Sequence, residues 1–217
     1  IRTFRFLRKK KIINNGNEKV IFMDHVDLRH LDQQICTCHL CPLSEGRTQA
    51  VPGSGPAPAD IMLVGEAPGK EEDLTGKPFV GRAGRLLDAA LEQAGLERSK
   101  VFITSVIKCR PPQNRKPKKA EIDQCRLYLQ AQIDILHPKI ICLMGNTATQ
   151  AILDRQGVTI LRGQILQDRF LVTYHPAAVL RNRNLMNDFV SDLKMAGLMQ
   201  SHSHRDREQF SESLNTL

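Results

Sequence analysis

The chain has 217 residues, 41% of them hydrophobic and 25% charged, with a formal net charge of +8. Its length suits one ordinary domain plus tails, and its composition excludes a fibre, a collagen, a mucin or a globally disordered chain. The longest unbroken apolar stretches, such as Ile140 to Met144, fall far short of the roughly 20 residues a membrane-spanning helix needs.

Much of the charge lies at the start. Residues 1 to 22 hold Arg2, Arg5, Arg8, Lys9, Lys10, Lys11 and Lys19 against Glu18 alone, so the rest of the chain is close to neutral. The opening lacks the apolar core and small-residue cleavage site of a secretory signal, so the six cysteines are expected to be reduced. Its Arg-rich composition resembles a mitochondrial presequence, but Ile12 to Val20 makes a poor amphipathic helix. Met23 is the expected natural start, with 1–22 a disordered basic extension, 23–200 the domain, and the polar, aperiodic 201–217 a frayed tail.

Between Cys36 and Ala59 the chain is rich in Cys, Pro and Gly and is expected to be irregular. From Asp60 onward the pattern alternates. Asp60 to Val64, Val101 to Ile107, Lys139 to Met144 and Arg169 to Tyr174 are short apolar runs, the signature of buried parallel strands. From Arg82 to Ala94, Ala83, Leu86, Leu87, Ala90, Leu91 and Ala94 repeat at helical spacing, and Gly95 supplies the stop. Further helices are predicted from Lys119 to Leu136, ended by His137-Pro138, from Asn146 as N-cap to Asp154, and from Met186 to Met199. The alternation predicts an α/β fold, a three-layer α/β/α sandwich around a central parallel four-stranded sheet.

Ligands of such sheets bind at the carboxyl ends of the strands. After the first strand stands Gly65-Glu66-Ala67-Pro68-Gly69, with Glu71, Glu72 and Asp73 close behind. The second ends at Ser105, followed by Lys108-Cys109-Arg110-Pro111-Pro112, and the fourth delivers His175-Pro176. Lys108, Arg110, Arg115, Lys116, Lys118 and Lys119 fall within twelve residues that contain no acid, either a solvated loop or a phosphate-binding patch. A Walker-type nucleotide site is excluded, because Gly65 to Lys70 has only three residues between its glycines and Glu71 stands where a magnesium-binding hydroxyl belongs.

Cys38 and Cys41 form a C-x-x-C preceded by Cys36, and Cys109 and Cys125 flank the basic segment, whereas Cys142 lies mid-strand and is expected in the core. Four thiolates suit zinc or an iron-sulfur cluster. The wide spacing of the second pair tilts the balance towards four irons.

Together, Cys38-x-x-Cys41, Val51-Pro52-Gly53-Ser54-Gly55, Gly65 to Gly69 with Glu72-Asp73, Gly76 to Gly84, Lys108 to Pro112 with Asn114-Arg115, Cys125 and His175-Pro176 resemble the iron-sulfur, thermostable-type (family 4) uracil-DNA glycosylases. The resemblance runs from about Ile35 to Gly197. It implies a DNA repair hydrolase that flips uracil out of DNA and cuts its N-glycosidic bond. It implies a structural [4Fe-4S] cluster on Cys38, Cys41, Cys109 and Cys125, and a base site formed by Gly65, Ala67, Gly69, Phe79 and Ser105. Glu66 and His175 would be the catalytic pair, with Glu72 a further candidate carboxylate.

Arg110, Arg115, Lys116, Lys118, Lys119 and Arg181 would contact DNA, and Val179 and Leu180 would supply a wedge, the alternative being the first turn of a buried helix. The expected partner is uracil-containing DNA, single- or double-stranded, bound by a monomer with no membrane partner in a prokaryotic cytoplasm, at the nucleoid. Rival expectations are an iron-sulfur DNA-binding protein with little hydrolytic activity, or a glycosylase for another deaminated base. Ser105 departs from the Asn common at that position in the family; a lone hydroxyl cannot donate and accept as an amide does, which weakens discrimination against cytosine. The His175-Pro176-Ala177-Ala178 segment, where others often have Ser, is a milder departure.

Overall fold

A computed structural model describes residues 27–200 throughout, together with the backbone of an antiparallel pair, β1 (Lys10–Asn14) and β2 (Asn17–Ile21), within the N-terminal extension. The other residues of 1–26, and the expected tail at 201–217, lie outside the described residues. Among the described residues no helix is long and apolar enough to cross a membrane.

Asp27 opens α1 (Leu28–Cys36) by accepting the His30 N–H at 2.8 Å, an N-cap that satisfies one orphan donor of the first turn. The segment expected to be irregular follows, broken only by the single turn α2 (Leu43–Gly46). Next come β3 (Ile61–Gly65), α3 (Lys70–Thr75), α4 (Arg82–Gln93), β4 (Val101–Ser105), α5 (Lys119–Leu136), β5 (Ile140–Met144) and α6 (Asn146–Leu153). The described chain ends with α7 (Val158–Leu161), β6 (Ile165–Leu166), β7 (Phe170–Thr173), α8 (Pro176–Arg181) and α9 (Met186–Gln200).

The main sheet has the order β4-β3-β5-β7-β6. Four strands are parallel, as the alternation predicts, and Ile61 lies level with both Val101 and Ile140. The fifth, β6, is an addition: two residues antiparallel to β7. Its connection runs through Gln167 and Asp168, both at positive φ (50° and 58°), with no glycine to announce a hairpin. A second difference is at α6, where Gly145 is the N-cap. Asn146 instead turns its Oδ1 to the N–H groups of Gly157 and Val158 at 3.1 and 3.0 Å, tying down the start of α7.

Alternate strand residues serve opposite faces. Met62, Val64, Ile141 and Leu143 pack with Leu31 and Ile35 of α1, Leu129 and Ile133 of α5 and Ala148 of α6. Ile61, Leu63, Ile140 and Cys142 pack with Leu87 and Leu91 of α4, Val179 of α8 and Phe189 and Leu193 of α9. Cys142 is thus core, as expected.

One polar group interrupts the second face. Asp192 of α9 is 1% exposed and accepts from Arg162 at 2.6 Å and from the Thr173 hydroxyl at 2.7 Å. Burial pushes its carboxyl up and Arg162 and Thr173 pull it back. Removing the guanidinium leaves a buried carboxylate short of its cation. Arg162→Ala is therefore expected to cost about 2 to 3 kcal/mol, below the full penalty of a wholly buried pair because Arg162 keeps some solvent contact; equilibrium urea unfolding checks it.

Candidate active site

The level parallel register brings the ends of β3, β4, β5 and β7 to one edge. A cavity of about 270 Å³ opens there, lined by Val51, Glu66, Ala67, Pro68, Gly69, Glu72, Pro78, Phe79, Ala83, Ser105, Pro111, Asn114, Arg115, His175 and Ala177. Glu66, Glu72, Ala67, Gly69, Phe79, Ser105 and His175, expected from sequence as site residues, therefore meet in one place. Gly65 lies behind Phe79.

Phe79 is held there by close backbone approach. A Cβ on Gly84 would sit 1.8 Å from the Phe79 carbonyl oxygen, and one on Gly65 would sit 2.5 Å from the ring Cζ. Only glycine allows α4 and the end of β3 to grip the phenylalanine from both sides. Phe79 itself has φ 51°, a left-handed conformation that costs a side-chain-bearing residue on the order of 1 kcal/mol or more and persists only where the surroundings enforce it.

Glu72 supplies part of that enforcement. Its Oε2 accepts the Gly69 N–H at 3.1 Å, and its Oε1 accepts those of Val80 and Gly81 at 2.9 Å. With both oxygens occupied by backbone donors, the carboxylate clamps the Gly65 to Gly69 loop to the Phe79 loop. This geometry gives Glu72 a positioning task.

Glu66 is placed differently. Its Oε2 accepts a hydrogen bond from the Thr147 hydroxyl on the first turn of α6. Sequence inspection passed over the Gly145-Asn146-Thr147 turn, although it follows β5 as directly as Ser105 follows β4. The strand-end rule would have found it.

His175 is the N-cap of α8, and its Nδ1 accepts the Ala177 N–H at 3.1 Å. That bond requires a lone pair on Nδ1, so the neutral ring carries its proton on Nε2. Nε2 is buried with no partner among the described residues. It would lie 3.5 Å from a Cβ on Gly65, and the ring centroid is 5.8 Å from that of Phe79. Burial, reinforced by Arg181 and opposed by Glu72, pushes the imidazole down to about 4. The folded protein therefore binds less proton here than the unfolded chain between about pH 6.5 and 4, so this group's contribution to stability falls as pH drops through that window. In an NMR titration His175 is expected to stay neutral at pH 6 and to protonate near pH 4, its resonance identified by loss in His175→Gln.

The basic segment divides. Lys108 leaves it: the side chain is 1% exposed and donates to Thr104 Oγ1, Ser105 O and Gln132 Oε1 at 2.6, 2.8 and 2.7 Å. Arg115 is paired with both oxygens of buried Glu121 at 2.6 and 2.9 Å and lines the cavity. Arg110 binds Asn114 at 2.7 Å, and Lys119 pairs with Asp123 at 2.7 Å. Lys116, Lys118 and Arg181 are exposed. Val179 is fully buried in the core, and Leu180 packs partly against it. The helix alternative therefore holds for Val179, which is no wedge. Asn114 on the cavity wall was visible in sequence only as part of a motif.

Cys38, Cys41, Cys109 and Cys125 line one small pocket, together with Arg47, Lys108 and Tyr128. Arg47 donates to the Cys109 sulfur at 3.0 Å and to the Cys36 carbonyl at 2.8 Å. Burial pushes the thiols of Cys41, Cys109 and Cys125 up, Cys125 to about 12. Among the described residues no three His, Cys, Asp or Glu side chains stand close enough to share one metal ion. Cys36 is exposed.

The Uracil DNA glycosylase superfamily matches residues 52–194 of this chain. A type-4 uracil-DNA glycosylase of Pyrobaculum aerophilum is 43% identical over 182 residues, covering 78% of this chain and 93% of the relative. The type-4 enzyme of Sulfurisphaera tokodaii is 44% identical over 77% of this chain and 82% of its own length, and that of Thermotoga maritima 42% over 71% and 83%.

Proposed function

The chain belongs to the uracil-DNA glycosylase superfamily and removes uracil from DNA as a repair enzyme, and we propose that Glu66 and His175 carry the reaction. The observation behind this is the buried Nε2–H of His175, without a partner among the described residues and in one cavity with Phe79 and Glu66.

A base inside a duplex is out of reach, so it is extruded at a cost of a few kcal/mol. Phe79 gives it an aromatic wall. As the C1′–N1 bond breaks, its electron pair passes to the uracil ring and positive charge grows on the sugar. A neutral histidine already fixed as an Nε2–H donor suits the oxygen where the anion develops. Glu66 offers a carboxylate to the cationic sugar or to the attacking water, whose oxygen then bonds to C1′ while its proton leaves towards a base. Preoriented groups of this kind do not have to reorganise at the moment of reaction.

Ser105 stands on the cavity wall at the end of β4, which supports a place at the base edge. Exposed Lys116, Lys118 and Arg181 suit DNA phosphates, in single or double strands.

The donor set of the cysteine pocket fits a [4Fe-4S] cluster. Two cations, Arg47 and Lys108, border it, and Lys108 hydrogen-bonds only neutral acceptors, with the Asp32 carboxyl near enough to act on its charge; a cluster held by four thiolates would add further negative charge beside both cations. When bound, the cluster would brace the loop from Cys109 to Lys118, a structural task. The purified protein is expected to be brown, with about four irons per chain, and Cys109→Ser to lose iron, stability and DNA binding together. A colourless folded protein with one zinc overturns the cluster.

Glu66→Ala and His175→Ala are each expected to slow single-turnover excision on uracil DNA by roughly 10² to 10³, with far smaller changes in DNA affinity. Near-wild-type rates in both overturn the assignment.

A further inference from the structure

We propose that Thr147 is a positioning residue for excision, holding the Glu66 carboxylate in its working orientation through the hydroxyl bond to Oε2. The inference rests on the assignment of Glu66 to the reacting centre and adds to it the group that aims the carboxylate.

Thr147 is 3% exposed on a helix surface where a buried threonine must place its hydroxyl somewhere. The usual outlet for a helical threonine is the carbonyl one turn back, and Thr149 in the same helix takes it, donating to the Gly145 carbonyl at 3.0 Å. Thr147 donates across the sheet edge instead, to a residue 81 positions earlier in the chain. A carboxylate only accepts, and a threonine hydroxyl donates once, so the bond ties Oε2 to α6 and restricts how Oε1 can turn towards the cavity.

The backbone on both sides is fixed. The Glu66 carbonyl accepts the Ile107 N–H at 3.3 Å, and Gly145, the N-cap of α6, takes its N–H to the Thr173 carbonyl at 2.9 Å. A Cβ on Gly145 would lie 3.0 Å from Cβ of His175. The turn that carries Thr147 is thus packed against one member of the catalytic pair while its side chain orients the other. Correct aim of a reacting group is worth large factors in rate and little in binding.

The experiment compares Thr147→Val, which keeps the shape and removes the donor, with Thr147→Ser, which keeps the donor and removes a methyl. Single-turnover excision and DNA affinity are measured for each alone and in a Glu66→Ala background. Thr147→Val is expected to slow excision about 10- to 100-fold, the scale of one hydrogen bond to a charged group, with affinity within about twofold and no further loss in Glu66→Ala. Thr147→Ser is expected to recover most of the rate. Equal loss in the valine and serine variants, or the same loss in the Glu66→Ala background, would show a packing role and overturn the proposal. So would a wild-type rate in Thr147→Val, which leaves Glu66 standing if Glu66→Ala is slow. A wild-type rate in Glu66→Ala overturns the Glu66 assignment and the positioning role with it. Thermal unfolding is followed throughout; if the valine variant is unfolded, Thr147→Ala against Thr147→Ser decides by the same criteria.

Discussion

Parallel pairing of β3 with both of its neighbours is the constraint on which the rest depends. With Ile61 level with Val101 and with Ile140, the strands finish together, Gly65 beside Ser105 and Val64 beside Leu143. Each following loop then begins at the same height. Because successive side chains alternate between faces, a slip of one residue in any strand would turn its core set towards the wrong layer. The apolar packing on both faces therefore fixes the register, and the register fixes the site.

On that edge, unlike groups are held by unlike means. Phe79 is gripped by backbone, through two glycines that allow approach closer than any side chain permits. Glu72 spends its charge on three peptide N–H groups. His175 is oriented by the helix it caps, which also settles which nitrogen carries the proton. The common result is a cavity whose polar groups are held in place by the protein itself, with a carboxylate and a neutral donor kept distinct.

The buried ammonium of Lys108 joins this edge to the cysteine pocket. It hydrogen-bonds the Ser105 carbonyl at the end of β4 and is followed in the chain by Cys109. Thr104 and Gln132 hold the same ammonium, and both also donate to the Pro52 carbonyl, at 2.7 and 2.8 Å. Desolvation draws this lysine down to about 8, so the fold invests in keeping the group where it is. Anything that orders the cysteines is one residue from a group that holds the end of β4, where Ser105 lines the cavity.

Much of this was legible in the sequence. Short β-branched runs alternating with helical periodicity determined the layered fold, because buried parallel strands admit little else, and the residues just past β3, β4 and β7 marked most of the cavity wall. Charge was less informative, since sequence lists cations and cannot say which are already spent. Lys108 is buried, Arg115 serves Glu121, and only the fold distinguishes them from exposed Lys116 and Lys118. The same holds for Val179, whose apolar character fits core and wedge equally until burial decides. Thr147 and Glu66 are 81 positions apart, and local pattern carries no signal across such a gap. Local spacing determined the elements and the chemistry available to them, whereas long-range packing decided which groups meet, which are neutralised and which remain free to react.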